Sequence, residues 1–217
     1  MTTGPSIPGP LAGQPRICLA SASPRRRELL AQLGIRPLVA PADIDERGRD
    51  GEAPADYVLR MAQEKAQRVA ADPARSQGLP VLGADTSVVV QGRVLGKPAD
   101  AAQSRQMLAL LSDRRHEVLS AVTLVGAPGS GYGSASRLSR TEVVFRRIDP
   151  AEAAAYWASG EPRDKAGGYA IQGRAAAFIA AISGSYSGVV GLPLYETAAL
   201  LAQAGLASWS AAPGAGA

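Results

Sequence analysis

The 217-residue chain contains one cysteine and one histidine, and these two scarcities exclude several kinds of site. Cys18 has no second thiol for an intrachain disulfide, which is typical of a reducing compartment, so we expect a cytoplasmic protein. With His116 alone, neither a histidine-rich metal centre nor a Ser-His-Asp triad is expected. Any divalent metal would be held by carboxylate and phosphate oxygens, a ligand set that suits magnesium or manganese.

Aromatic residues and long apolar runs are also scarce. Aromatic side chains make up 5% of the sequence, so the stacking platforms of RNA-binding proteins are not expected despite a net charge of +4. No run of about 18 apolar residues predicts a transmembrane helix. We therefore expect neither nucleic acid nor a membrane as a partner. The 46% of hydrophobic residues is typical of a globular protein with a real core.

Both ends of the chain have the composition of disordered segments. Residues 1–14 are rich in glycine, proline and threonine and lack the charged and apolar regions of a signal peptide. Residues 208–217 are similar in composition, so we expect one folded domain over residues 15–207. Within it, helical and strand periods alternate and antiparallel pairs are inserted, which predicts a mixed α/β fold.

The periodicity and the turn residues place the individual elements. Strands are predicted at residues 16–20, 35–39, 79–90, 93–95, 116–125, 139–148, 168–171 and 176–182. Helices are predicted at residues 24–33, 54–71, 99–111, 150–159 and 192–204. A polar loop over residues 41–51 carries several carboxylates, and a glycine- and serine-rich connection over residues 126–137 is expected to be mobile.

The segment of residues 21–30 joins the first predicted strand to the first helix and contains three consecutive arginines. A polar turn between a strand and a helix N-terminus is a common arrangement for binding phosphate. Ser23 can cap the helix, and Pro24 suits its first position. Arginines at the positive end of the helix dipole are destabilising, and an anionic ligand would remove that conflict. The segment therefore predicts a polyphosphate site.

Three further positions carry possible chemistry, each with a plainer interpretation. Asp85 interrupts an apolar strand, which is costly unless the carboxylate is paired, metal-bound or catalytic, or emerges at a strand end near solvent. Lys97 lies between glycine and proline, a rigid position for a cation, although an ordinary surface lysine is equally consistent with it. Gln172 follows a glycine-rich run, and its amide can read the edge of a base, although the run alone also predicts an ordinary turn.

Taken together, these segments resemble the Maf family of nucleoside triphosphate pyrophosphatases over about residues 16–203. The matching pieces occur in the family's order: S-A-S-P-R-R-R-E-L-L, D-I-D-E, Q-E-K-A, G-A-D-T, L-G-K-P, D-K-A-G-G-Y-A-I-Q-G and G-S-Y-x-x-V-V-G-L-P-L. The resemblance implies the fold of inosine triphosphate pyrophosphatases, a mixed sheet with flanking helices and a cleft between two lobes. It also implies hydrolysis of a nucleoside triphosphate between its α- and β-phosphates, a divalent cation, and a family that is often dimeric.

The resemblance also assigns roles to single residues. Asp85 matches the catalytic aspartate, and Glu46 matches an acidic residue that is a second ligand of metal or water. Three cations match residues expected to neutralise the leaving pyrophosphate: Arg26, Lys65 and Lys97. Ser21 and Ser23 lie in the phosphate turn.

Three positions indicate the subgroup. Arg25, Thr86 and Gln172 match the group that acts on dTTP and UTP, whereas the 7-methyl-GTP group tends to carry tryptophan, glutamine and glutamate there. A neutral amide matches the thymine or uracil edge, which presents both a donor and an acceptor. The resemblance therefore predicts a house-cleaning hydrolase of dTTP, UTP and modified pyrimidine nucleotides.

Two alternatives remain open from the sequence. The first is a non-catalytic, nucleotide-sensing regulator of cell division and septum formation, which would bind nucleotide without turnover. The second is the same chemistry on a different base.

Overall fold

The computed structural model describes residues 16–206, so the expected disordered ends, 1–14 and 208–217, lie outside the described residues. The strands in this range are β1 (Cys18–Leu19), β2 (Leu38–Val39), β3 (Val81–Val90), β4 (Arg93–Leu95), β5 (Arg115–Val125), β6 (Ser134–Phe145) and β7 (Ile179–Ser183). The helices are α1 (Pro24–Gln32), α2 (Pro54–Ala70), α3 (Pro73–Ser76), α4 (Ala101–Leu111), α5 (Pro150–Ala158), α6 (Tyr186–Val190) and α7 (Leu194–Gln203). None of these helices is long and apolar enough to span a bilayer.

The strands form one mixed sheet, which confirms the predicted fold class. Its order is β2-β1-β3-β5-β6-β7, and β4 also pairs with β3. β1 is parallel to β2 and β3, whereas the pairs made by β4, β5, β6 and β7 are antiparallel. β3 is buried along nearly its whole length, because helices cover both faces of the sheet there.

The helices pack on the two faces of the sheet in different combinations. On one face, α2 covers β3 and β5, with Val58 and Ala62 against Leu119 and Ala121. On the other face, α1 and α7 pack over one half of the sheet, and α4 and α5 pack over the other half. The apolar residues of β3 alternate between these layers, as a strand with a two-residue period requires.

One edge of β3 is split between two different neighbours. β1 pairs with the first two residues of the strand, and β4 pairs with its last three. In the described part of the chain, residues 83–87 between them pair with β5 alone, on the opposite edge. Asp85 and Thr86 lie in the middle of this gap and, as neighbours on a strand, project toward opposite faces of the sheet. The gap is where a ligand can reach the centre of the sheet.

Some predicted elements are wrong or shifted. The predicted strand at residues 168–171 is absent, because Gly168 ends a 3₁₀ turn over Ala166–Gly168 with a φ angle of 69°, and residues 169–171 after it form no strand. β6 begins at Ser134 and ends at Phe145, so the glycine- and serine-rich connection is shorter than expected. The short helices α3 and α6 were not predicted.

Candidate active site

The gap along β3 opens into a cleft of about 810 Å³. The turn after β1, the loop after β2 and helix α2 form one wall, and the segments after β4 and α5 form the other. Every site residue predicted from the sequence lines this cleft: Ser21, Ser23, Arg25, Arg26, Glu46, Lys65, Asp85, Thr86, Lys97 and Gln172. The fold therefore gathers into one place residues that the chain keeps far apart.

A lysine bridges the two predicted carboxylates. Lys65 Nζ lies 2.7 Å from Asp85 Oδ1 and 2.7 Å from Glu46 Oε1. Lys65 and Asp85 are buried, whereas the Glu46 side chain is 56% exposed. Burial acts to raise the pKa of Glu46, but the hydrogen bond and charge of Lys65, with the charges of Lys97 and Arg26, outweigh burial and lower that pKa. Asp85 is thus a paired carboxylate and not one emerging into solvent.

Gly83 explains how helix α2 comes close enough for this bridge. A Cβ at Gly83 would collide with the backbone carbonyl of Ala62 and with Ala66, both on α2. The missing side chain lets the helix lie directly on β3, two residues before Asp85. Lys65, on the same turn of α2, then reaches the carboxylate from a short distance. The glycine of the G-A-D-T motif is therefore a packing requirement of the site.

The loop that carries Glu46 is tied to α2 by two side chains. Tyr57 Oη donates to the carbonyl of Glu46 at 2.8 Å, and Arg60 Nη2 donates to the carbonyl of Arg47 at 3.1 Å. Arg60 also pairs with Glu52 at 2.5 Å, and this hydrogen bond lowers the pKa of Glu52 to about 2. Burial and the nearby carboxylates raise the pKa of Tyr57 to about 12, so its hydroxyl remains a neutral donor. Sequence reasoning missed both Tyr57 and Arg60.

The phosphate turn is built around one arginine. Arg26 Nη1 donates to Ser21 Oγ at 3.0 Å, and Arg26 Nε donates to the carbonyl of Gly191 at 2.9 Å. Burial lowers the pKa of Arg26, and the charge of Asp85 opposes that shift. Ser23 occupies the position before the first turn of α1 but makes no capping hydrogen bond with its side chain, contrary to expectation. Its hydroxyl can therefore serve a ligand.

Cations dominate the opposite wall. Burial lowers the pKa of Lys165, and the like charge of Arg25 lowers it further; Asp164 and Glu161 oppose this shift, and Lys97 adds the smallest contribution, which also lowers the pKa. The Gly167 amide donates to the Gly96 carbonyl at 2.9 Å and joins the two segments that carry Lys97 and Lys165. The motif D-K-A-G-G-Y contains Lys165 but predicted no role for it. The scarcity of lysine in the sequence could have pointed to Lys165, because the chain has only three lysines. All three line the cleft.

Thr86 and Gln172 differ in what they can offer a ligand. Thr86 Oγ1 lies 3.0 Å from Ser120 Oγ and 3.3 Å from the carbonyl of Gly191, so its hydroxyl proton is used within the protein. Thr86 can therefore act on a ligand by its size or as an acceptor. The Gln172 side chain is exposed at the cleft and keeps the full donor and acceptor capacity of its amide.

The carboxylates of Asp85 and Glu46 suit a divalent cation. Their oxygens lie close enough together to share one ammonium group, and hard oxygen ligands are those that magnesium and manganese prefer. No group of three or more Asp, Glu, His or Cys side chains that could hold a metal occurs within residues 16–206. A cation bound here would therefore be completed by water and by phosphate oxygens, as is usual for magnesium with nucleotides.

Comparison with known proteins agrees with this geometry. Residues 16–204 match the family model described as Maf-like protein. A protein of Anaeromyxobacter dehalogenans (strain 2CP-1 / ATCC BAA-258) is 55% identical over 88% of this chain and 95% of its own length. Proteins of Hahella chejuensis (50% identical, 91% and 96%) and Colwellia psychrerythraea (52% identical, 88% and 89%) are similarly related. All three relatives are named dTTP/UTP pyrophosphatase. The chain belongs to the family of Maf-like proteins, as its motifs predicted.

Proposed function

We propose that this chain hydrolyses dTTP and UTP to the nucleoside monophosphate and pyrophosphate. The observation that carries the proposal is the Asp85–Lys65–Glu46 bridge, which faces a set of cations across a cleft large enough for a nucleotide. The names of relatives at 50–55% identity support the same activity. A triphosphate needs a positively charged binding surface, and its hydrolysis needs a carboxylate that can orient water, so the cleft supplies both parts.

The residues divide into catalytic and binding roles. Asp85 would orient the attacking water and accept its proton, and Glu46 would assist from the edge of the cleft. Lys97 would neutralise the charge that develops on the leaving pyrophosphate. Four other residues would bind the phosphates and hold the carboxylates in place: Ser21, Ser23, Arg26 and Lys65. Because Lys65 is buried against both carboxylates, it also sets their distance from each other.

A magnesium or manganese ion would be held by Asp85 and Glu46. When bound there, such an ion would supply charge neutralisation on the phosphates and increase the acidity of a bound water. The exposed Glu46 can exchange Lys65 for a cation at little cost, because its carboxylate is already half in solvent. Asp85 would serve the chemistry both as a ligand of the cation and as the acceptor of a proton, and Glu46 would serve as the second ligand.

Base selection would depend on Arg25, Thr86 and Gln172. The exposed amide of Gln172 offers one donor and one acceptor to a thymine or uracil edge. Thr86 would limit the size of the pocket, since its hydroxyl proton is already donated within the protein. We place this reaction in the cytoplasm, a reducing compartment in which the buried thiol of Cys18 needs no partner.

Pyrophosphate release from a panel of nucleoside triphosphates, with magnesium or manganese, tests the proposal. We expect turnover of dTTP and UTP in the wild type and a loss of roughly 1,000-fold or more in kcat for Asp85→Asn. Glu117→Gln is the matched control, because Glu117 is a carboxylate of the adjacent strand β5 that pairs with Arg140 outside the cleft. Nucleotide binding without any turnover would instead support the nucleotide-sensing alternative, and preferred turnover of another base would reject the assignment of substrate.

A further inference from the structure

A tyrosine and a glutamate tie down the segment that carries Gln172. Tyr156, on α5, donates its hydroxyl to Glu161 Oε1 at 2.8 Å and accepts the amide of Ala170 at 3.1 Å. Glu161 accepts the amide of Arg174 at 2.9 Å and that of Ala175 at 3.3 Å. The two side chains therefore form one unit, the Tyr156–Glu161 pair, that holds the backbone on both sides of Gln172.

The segment between the two ties is short and closely packed. It contains three residues, of which Ile171 is buried in the core and Gln172 is exposed to the cleft. A Cβ on the third, Gly173, would collide with the Glu161 carboxylate, so the backbone lies directly against that group. With both ends fixed and Ile171 anchored, the position of the Gln172 side chain relative to the cleft is determined by the Tyr156–Glu161 pair.

The hydrogen bonds and the charge of the Tyr156–Glu161 pair suit a rigid support for the backbone around Gln172. Tyr156 is buried, and its hydroxyl uses both its proton and a lone pair. Burial acts to raise the pKa of Glu161, but the backbone amide of Arg174, the Tyr156 hydroxyl and the amide of Ala175 outweigh burial and lower that pKa. The carboxylate is ionised at neutral pH and makes charge-assisted hydrogen bonds, which are stronger than neutral ones. Neither side chain lines the cleft, so neither would touch the substrate.

We propose that Glu161, together with Tyr156, is a positioning residue for base recognition, which acts by holding the backbone of Gln172 in place. The proposal rests on the proposed function, because it assumes that Gln172 reads the pyrimidine edge. It concerns the choice between bases and not the chemical step. Among the described residues, neither side chain of the pair hydrogen-bonds to Ser21, Ser23 or Arg26, which would bind the triphosphate.

A comparison of UTP with CTP separates an effect on base recognition from an effect on phosphate binding or the chemical step. The two nucleotides share the phosphates and the ribose and differ at the base edge. In Glu161→Gln, the Arg174 amide faces either an NH₂ group or a weaker, neutral acceptor, so that tie is lost or weakened. We expect the ratio of kcat/KM for UTP to that for CTP to fall about tenfold, with little change for CTP. Tyr156→Phe, which removes the hydroxyl alone, should lower the ratio in the same direction.

Two controls distinguish positioning from general stability. Glu152→Gln removes a carboxylate at the other end of α5, where it pairs with Arg146 at 2.7 Å outside the cleft, and should leave the ratio unchanged. In the double variant Glu161→Gln/Gln172→Ala, the ratio should be no lower than in Gln172→Ala, because one residue acts through the other. Multiplying effects, or an unchanged ratio in Glu161→Gln despite a lower melting temperature, would overturn the proposal.

A failure of the proposed function can be distinguished from a failure of the positioning role of Glu161. If the wild type turns over neither dTTP nor UTP, the substrate assignment fails before any variant is compared. Amide hydrogen exchange still tests the support itself in that case. Arg174 and Ala175 should exchange faster in Glu161→Gln than in the wild type or Glu152→Gln, and equal exchange in all three would show that the Tyr156–Glu161 pair does not hold the segment.

Discussion

At the scale of single residues, the one histidine of the chain, His116, is buried in the fold and does not line the cleft. His116 Nε2 lies 2.8 Å from Tyr169 Oη, and its ring packs edge-on against Phe145 and Tyr169. Its Nδ1 has no hydrogen-bond partner among the described residues. Burial lowers the pKa of His116 to about 4, so the imidazole is neutral at physiological pH.

His116 should make the protein sensitive to acid. The folded state binds a proton less readily than the unfolded chain, so its stability is complete above the ordinary histidine pKa and falls as pH decreases toward 4. Between pH 7 and pH 4, the wild type should lose about 3 kcal/mol more than His116→Gln. Urea unfolding at both pH values measures the difference, and equal losses in the two proteins would contradict it.

At the scale of elements, the loop before α2 depends on Arg60. Arg60 pairs with Glu52 and donates to the carbonyl of Arg47, so it anchors the loop at two points just after Glu46, the residue that completes the carboxylate pair. Its side chain is 13% exposed, which is low for an arginine. The loop has no helix or strand of its own, so these contacts decide its position.

Arg60→Gln should loosen this loop and weaken catalysis. Without the guanidinium, the backbone beside Glu46 would lose one of its ties to α2, so Glu46 would be held less firmly against Lys65 and Asp85, and kcat/KM for dTTP should fall roughly tenfold. Arg49→Gln is the matched control, because Arg49 lies in the same loop and pairs with Glu64 but is 68% exposed. Steady-state kinetics and amide exchange of residues 44–50 measure both effects. If the two variants behaved alike, Arg60 would have no special role in positioning Glu46.

The elements also show why some of the structure was predictable and some was not. β3 and α2 were predicted closely, because long apolar strands and amphipathic helices have strong local signals. The predicted strand at residues 168–171 is wrong because the chain enters it through a 3₁₀ turn that is held by the distant contact of Gly167 with Gly96, which no local pattern contains. The support of Gln172 by Glu161 was missed for the same reason, since hydrogen bonds to backbone amides leave no periodic signal.

At the scale of the whole molecule, the split edge of β3 separates two halves that a ligand would join. Ser21 and Arg26 follow β1 on one side of the gap, and Lys97 follows β4 on the other. The motifs predicted a set of site residues, and all of these residues line the cleft, while their roles stay a prediction. The split itself could not be predicted, because it depends on where β1 and β4 align along β3.

A triphosphate that spans the gap should stabilise the whole fold. At 100 times its Kd, a non-hydrolysable α,β-imido analogue of dTTP should add about 2.7 kcal/mol of stability. For a chain of this size, that corresponds to a rise in Tm of roughly 5–10 °C, measured by thermal unfolding. Thymidine, which lacks the phosphates, should produce a much smaller shift at the same concentration as the analogue, because it binds more weakly. An equal shift with thymidine would mean that the phosphates do not bridge the two walls.

The distribution of basic residues has a practical consequence for labelling. Lys65, Lys97 and Lys165 are the only lysines in the sequence, and each lines the cleft, whereas the other basic residues are arginines. Apart from the α-amino group, an acylating reagent therefore finds its primary amines only where substrate would bind. Coupling this protein to a surface or a dye through lysine would modify the cleft itself, while attachment through the α-amino group would leave those three amines intact.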